Sequence, residues 1–236
     1  MTETDLENAA ALSEEERQML LDWCDSRDIR VDSESIARLG LYRSMLLDWS
    51  CRMNLTAIRD AREVLIKHFL DSLSIAPYVP RGEPLLDIGS GAGFPGMVLK
   101  LVRPAQPVTL VEARGKKVGF LEHVRRSFGL EECEILHTRL EGSEVGLRGR
   151  FGVVVSRGVR SPGLFLRLAA TYLRPGGRII AMLGRGQIAG GGEAGKVETE
   201  IRCEIEAAEK FILPEQAGIR QLVIYRLPGG NVPRGT

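Results

Sequence analysis

Leu86-Asp87-Ile88-Gly89-Ser90-Gly91-Ala92-Gly93-Phe94-Pro95-Gly96 decides how this chain is read. It closes a short apolar stretch that starts at Pro84, and it opens a helix. Glycines at a strand-to-helix junction supply turn geometry and let the backbone approach a ligand closely. Taken literally, Gly91-x-Gly93-x-x-Gly96 matches the dinucleotide fingerprint. Two features argue against a pyrophosphate. Asp87 stands two residues before the first glycine, where its charge would repel a diphosphate and suit a cation. The strand is also not the first element, because helices precede it.

Upstream, Ser13 and Glu16 form a capping-box pair before Met19-Leu20-Leu21. Ser33 or Ser35 starts a second helix, in which Ile36, Leu39, Tyr42, Leu46, Trp49 and Met53 step by three and four. Leu65, Phe69, Leu73 and Ala76 repeat the pattern in a third helix, ended by Pro77. Residues 1–78 therefore read as a helical segment packed on the core. Downstream, strands over 107–112, 133–137, 151–156 and 178–183 alternate with helices over 116–128 and 164–173. That alternation predicts a mostly parallel sheet with helices on both faces. A further helix is expected over 196–208, and strands at 211–213 and 221–225 are expected to form an antiparallel hairpin at the sheet edge. Residues 79–227 form this α/β domain. The glycine-rich stretch 184–195 reads as a mobile loop, and 228–236 as a disordered tail.

The 236 residues are 44% hydrophobic and 27% charged, an ordinary globular composition. No apolar run approaches a membrane span, and no signal peptide is visible. Cys24, Cys51, Cys133 and Cys203 lie far apart, and the chain has three histidines, so neither a zinc site nor a disulfide framework is expected. A cytoplasmic monomer without metal is the simplest expectation. The net charge of +1 hides an asymmetry. Residues 1–35 hold eleven acids against three bases, whereas Val145 to Gly192 holds eight arginines and no acid or lysine. Those arginines are Arg148, Arg150, Arg157, Arg160, Arg167, Arg174, Arg178 and Arg185. A second basic cluster is Arg114, Lys116, Lys117, Arg125 and Arg126. Such fields suit RNA, and equally a solvated surface.

S-adenosylmethionine carries an α-amino group and a sulfonium, which suit Asp87. Glu112 ends the second strand, where an acid accepts from ribose hydroxyls. Asp87 also reads as a helix cap or loop acid, and Glu112 as a surface acid. Together with Leu173-Arg-Pro-Gly-Gly-Arg178, these residues resemble a class I S-adenosylmethionine-dependent methyltransferase, a Rossmann-like fold whose mostly parallel seven-stranded sheet has an antiparallel edge strand. More closely, the chain resembles the RsmG (GidB) family of bacterial 16S rRNA methyltransferases. The resemblance runs from about Trp49 to Gly184 through Asn54-Leu-Thr-Ala-Ile-Arg59, His68-Phe-Leu-Asp-Ser-Leu73, Asp87 to Gly96, Lys116-Lys117 and Ser156-Arg157. The chain departs from the family pattern at Gly119 and Gly158.

The resemblance implies methylation of guanine N7 at G527 in the 530 loop, on 16S rRNA or a small-subunit precursor. Carried over residue by residue, it implies that Gly89 and Phe94 line the cofactor pocket and that Glu112 holds the ribose, with Asp87, Gly91 and Gly93 as further cofactor-binding candidates on the reading of the loop. Leu140 and Glu141 would border the adenine, and Arg157 would close the site near cofactor and substrate, as a cofactor-binding and catalytic residue. Guanine N7 carries a free lone pair, so no general base is expected and alignment carries the rate. N7 lies in the deep major groove of A-form RNA, so a flipped or looped-out guanine is required. Phe94, a large apolar residue inside a glycine loop, reads as pocket lining rather than core, and Trp49 as core. His68 and Asp71, with Lys67 on the same helix face, read either as functional or as a structural pair. Asn54 and Thr56 read as caps or as RNA contacts. Three other readings compete: a nicotinamide oxidoreductase, a non-catalytic RNA-binding module, and a methyltransferase of another RNA or of a small molecule.

Overall fold

The computed structural model describes residues 11–159, 161–184 and 200–229. Glu14–Asp25 (α1) starts on the Ser13–Glu16 capping box. Glu16 also accepts from Arg43 at 2.6 Å, an ion pair nearly closed to solvent that fastens α1 to the next helix. That helix, Ser33–Met53 (α2), is capped by Asp32, whose carboxylate accepts from the Ser35 N–H at 2.7 Å. Its stripe is the expected one, with Leu39, Tyr42 and Leu46 fully buried and Trp49 packed on Phe120 and His123.

The third helix, α3, has a change of pitch. It runs through Ala61–Val64, a π-helical stretch Leu65–Leu70, and Asp71–Leu73. Asp60 caps its start, while Asn54 is the left-handed C-cap of α2, so the residue that caps the following helix is Asp60 rather than Asn54. Lys67 pairs with Glu63 one turn earlier rather than with Asp71.

Seven strands follow: Leu85–Ile88 (β1), Val108–Glu112 (β2), Cys133–His137 (β3), Phe151–Arg157 (β4), Leu173–Leu183 (β5), Glu204–Ile212 (β6) and Ile219–Arg226 (β7). Gly96–Val102 (α4), Gly115–Ser127 (α5) and Pro162–Tyr172 (α6) link them. The sheet order is β3-β2-β1-β4-β5-β7-β6. β1 to β5 are parallel and β7 is reversed against both β5 and β6, so the antiparallel member sits one place in from the edge.

Side-chain alternation divides the core between the two sheet faces. Val153 and Val155 of β4, with Ile180 and Met182 of β5, join Leu20, Tyr42, Phe69, Val98 and Phe120 from α1 to α5. Val154, Ile179 and Ala181 point the other way, onto Phe165, Leu166 and Ala169 of α6. The N-terminal helices therefore share one apolar cluster with the sheet.

One element differs from expectation. The helix predicted to reach Ala208 is instead strand β6 over its C-terminal part. Glu204-Ile-Glu-Ala-Ala-Glu-Lys favours helix by propensity, but pairing with β7 outweighs so weak a preference. The charges then serve an edge strand, where they discourage pairing with other chains. The expected loop over 184–195, the start of that helix and most of the tail over 228–236 fall outside the described residues. Among the described residues no helix is long and apolar enough to cross a membrane, and no acid, histidine and cysteine group is arranged to hold a metal.

Candidate active site

The strand order reverses between β1 and β4, and in open α/β sheets ligands bind at that switch point, beyond the carboxyl ends of the strands. The glycine loop lies there. Gly89, Gly91 and Gly93 all have positive φ, at 73°, 63° and 100°. They are not equivalent. A Cβ on Gly93 would come within 2.6 Å of both the Met97 Cβ and the Tyr42 hydroxyl, so this glycine is demanded by packing from below. A Cβ on Gly89 would meet nothing within 4 Å. Among the described residues Gly89 therefore faces the open side of the loop.

Two acids hold the loop's shape. Glu112, at the end of β2, accepts from the Gly91 N–H at 2.9 Å and from the Arg114 N–H at 2.8 Å. It is buried and is not a surface acid. Asp87 is fully buried, and its Oδ2 accepts from the Gly96 N–H at 2.8 Å, at the start of α4. The cap-like reading of Asp87 is thus part of its role, and its carboxylate does not open onto solvent. Among the described residues its Oδ1 has no hydrogen-bond partner. Burial pushes the Asp87 carboxyl up to about 7, opposed by the Gly96 N–H and by the Arg157 charge, while Glu112 adds to the rise.

Phe94 corrects an expectation. It is 4% exposed, stacked on His68 at 4.3 Å and packed on Tyr42 and Phe69. It is core, because Phe69 and the π-turn of α3 rise to meet the loop from the same side as Tyr42. The Tyr42 hydroxyl donates to the Ala92 carbonyl and clamps the loop from beneath. The sequence placed Tyr42 on an apolar stripe but did not reveal this contact.

Arg157, the last residue of β4, stands beside the loop with its guanidinium 4.9 Å from the centre of the Phe94 ring. It donates to the Lys67 carbonyl at 3.3 Å and to His68 Nδ1 at 3.1 Å. An arginine only donates, so Nδ1 is the bare nitrogen and Nε2–H donates to Thr56 Oγ1 at 2.8 Å. Burial, then the Arg157 charge, push the His68 imidazole down to about 3, so it is neutral. Asp71 is buried, and its Oδ2 takes Arg220 Nε at 3.2 Å and, at 3.5 Å, Arg157 Nη1. Burial raises the Asp71 carboxyl against those two cations. The His68–Asp71 pair thus both fixes α3 to the sheet and orients Arg157. Thr56 belongs to the same chain of contacts.

A cavity of about 250 Å³ opens against this cluster, lined by Ile58, His68, Asp71, Arg157, Met182 and Arg220 among others. A larger groove of about 660 Å³, lined by Pro84, Pro107, Arg125 and Arg150, contains none of these residues and carries no such chemistry. Arg220 was not found from the sequence. It is the second residue of β7, and only the reversal of that strand brings it to the carboxyl ends of the others. Leu140 and Glu141 follow β3 at the same edge, with Leu140 buried and Glu141 exposed.

Among the described residues of the arginine-rich segment, Arg148, Arg150, Arg167 and Arg174 are exposed, and three of its arginines are paired with acids. Arg167 pairs with Glu200, Arg174 with Glu83 and Arg178 with Glu206, all acids from outside the segment. Arg148 donates to the Gly142 carbonyl and Arg150 to the Gly146 carbonyl. Arg160 and Arg185 lie outside the described residues.

Sheet order, reversed β7 and a glycine loop after β1 define a class I S-adenosylmethionine-dependent methyltransferase fold. Solved structures agree: a SAM-dependent methyltransferase from Aquifex aeolicus matches with a TM-score of 0.54, covering 74% of this chain and 97% of that one at 15% identity. The [4+2]-cyclase SpnF matches with a TM-score of 0.59, over 85% and 98% of the two chains at 14% identity, so the fold alone does not fix the reaction. The GidB family model, rRNA small subunit methyltransferase G, matches residues 35–222, and this chain belongs to that family. A "Ribosomal RNA small subunit methyltransferase G" of Myxococcus xanthus is 40% identical, over 86% of this chain and 93% of its own length. One of Caldanaerobacter subterraneus subsp. tengcongensis is 37% identical, over 89% of both chains.

Proposed function

We propose that this chain transfers the methyl group of S-adenosylmethionine to N7 of a guanine in 16S rRNA, at G527 of the 530 loop. The observation that carries the reading is the open face of Gly89, set between the buried Asp87 and the Arg157–His68 pair in a chain of this family. When bound, the cofactor supplies an electrophilic methyl on a sulfonium. The residues present fit it. The orphan Oδ1 of Asp87 lends negative charge beneath the loop to a cationic ligand. Gly89 allows close backbone approach, Gly91 and Gly93 supply the loop's left-handed turns, and Phe94 packs behind them. Glu112, already holding two N–H groups, has lone pairs left for ribose hydroxyls. Leu140 and Glu141 border the adenine.

No residue needs to take a proton from N7, and the single neutral histidine at the site acts on Arg157. That arginine closes the acceptor side, where its remaining N–H capacity suits guanine O6, a phosphate or the cofactor carboxylate. Its place beside His68 rather than free in solvent fixes its orientation, and alignment is what this reaction needs. The protein acts as a cytoplasmic monomer on small-subunit RNA.

The test is incubation with methyl-labelled S-adenosylmethionine and small-subunit rRNA, followed by borohydride and aniline cleavage, which cuts at N7-methylguanine. A single cut in the 530 loop is expected. Cofactor binding without RNA label would redirect the assignment to another acceptor.

A further inference from the structure

We infer that RNA docks across the edge formed by Arg114, Lys116, Lys117 and Arg139, and not on the arginine-rich run of 145–192. The inference rests on the proposed RNA substrate. Glu112 of β2 pairs in register with His137 of β3, so Arg114 and Arg139, each two residues further on, leave the sheet side by side. Lys116 and Lys117 start α5 at the same edge. A Cβ on Gly115 would lie 3.3 Å from the His137 ring, and one on Gly91 3.5 Å from Lys117 Nζ. These contacts tie the helix start, the β3 end and the glycine loop into one surface. Arg114, Lys116 and Arg139 are exposed, and among the described residues no ion pair engages any of the four.

The opposite edge is arranged differently. Arg174 and Arg178 lie in the first half of β5, and Arg226 ends the reversed β7, which places all three at the amino ends of the parallel strands. Glu206 neutralises both Arg178 and Arg226, and Glu83 neutralises Arg174. At this amino-end edge the charges of Arg174, Arg178 and Arg226 are each met by an acid, whereas among the described residues the set around the glycine loop has no such partner. RNA gripped there has its backbone beside the cavity at Arg157, within reach of a flipped base.

The test is filter binding of a 16S rRNA transcript over a salt series, with calorimetry of S-adenosylmethionine on the same proteins. Each lost phosphate contact lowers the slope of log K against log salt by about 0.7 to 0.9. The double variant Lys116→Gln/Arg139→Gln is expected to lower it by about 1.4 to 1.8, a loss of roughly 25- to 60-fold at 0.1 M salt. Its cofactor affinity is expected to stay unchanged, as is the RNA slope of the control Arg174→Gln/Arg226→Gln. An unchanged slope in the first variant, or an equal fall in the control, overturns the inference. Wild-type protein that binds cofactor but no RNA overturns the substrate reading itself.

Discussion

Gly89→Ala and Gly93→Ala place the same methyl group on two sides of one loop, and the structure assigns them opposite consequences. At Gly93 the backbone has φ of 100°, and the new Cβ meets Met97 and Tyr42 at 2.6 Å and Leu121 at 3.1 Å. The left-handed backbone costs about 1–2 kcal/mol. Overpacking adds about 1–3 kcal/mol, since Met97 presents its Cβ rather than a flexible end. The sum, about 2–5 kcal/mol, corresponds to a fall in Tm of roughly 4–20 °C for a chain of this size. At Gly89 the φ of 73° carries the backbone cost alone, because nothing lies within 4 Å. Its Tm is expected to fall by only about 2–6 °C. The methyl group does, however, stand on the open face proposed for the ligand, and S-adenosylmethionine affinity is expected to fall more than tenfold. Thermal unfolding without ligand and calorimetry with it separate the two effects. Wild-type cofactor affinity in Gly89→Ala would refute the assignment of the open face, and an unaltered Tm in Gly93→Ala would refute the packed one.

Three further outcomes are expected. Asp87→Asn keeps an acceptor for the Gly96 N–H yet loses the charge, so the fold should persist and cofactor binding fail; because the Asp87 carboxyl sits near 7, wild-type binding at neutral pH should release part of a proton, seen as buffer-dependent binding heat that the variant lacks. Arg157→Ala should lower methylation at least tenfold while leaving S-adenosylmethionine bound; unchanged single-turnover rates would remove Arg157 from the site. His68 is held down to about 3, so the unfolded chain alone takes up its proton below about 6.5, and that part of stability is lost as pH falls from there towards 3. Urea unfolding of wild type against His68→Asn should therefore show wild type losing about 1.4 kcal/mol per pH unit relative to the variant between pH 6 and 4, and parallel pH profiles would show a charged His68 in the fold.

The parts of this molecule legible in the sequence are those set by local pattern. The strand–glycine–helix junction, the capping box at Ser13 and the stripe through Leu39, Tyr42 and Leu46 all stand where their spacing put them. The parts that were not legible depend on partners distant in the chain. The first part of β6, Glu204 to Ala208, reads as helix because local propensity favours it, although the hairpin through Phe211 was legible. Phe94 reads as pocket lining because the ring of Phe69 and the π-turn that cover it lie on another element. A count along the arginine run misses Glu83, Glu200 and Glu206, which pair with Arg174, Arg167 and Arg178 from other segments. Arg220 required knowing that its strand begins where its neighbours end.

That last reversal also bears on synthesis. Chains emerge amino end first, so β1 to β5 can form with their glycine loop while β7 is still unmade. Until β7 inserts, Asp71 lacks Arg220 and the flank of β5 offers unpaired backbone along an apolar strand, an aggregation hazard. The ion pair at Asp71 is completed by the same late step that seals the sheet, so a chain stopped short of β7 lacks both at once.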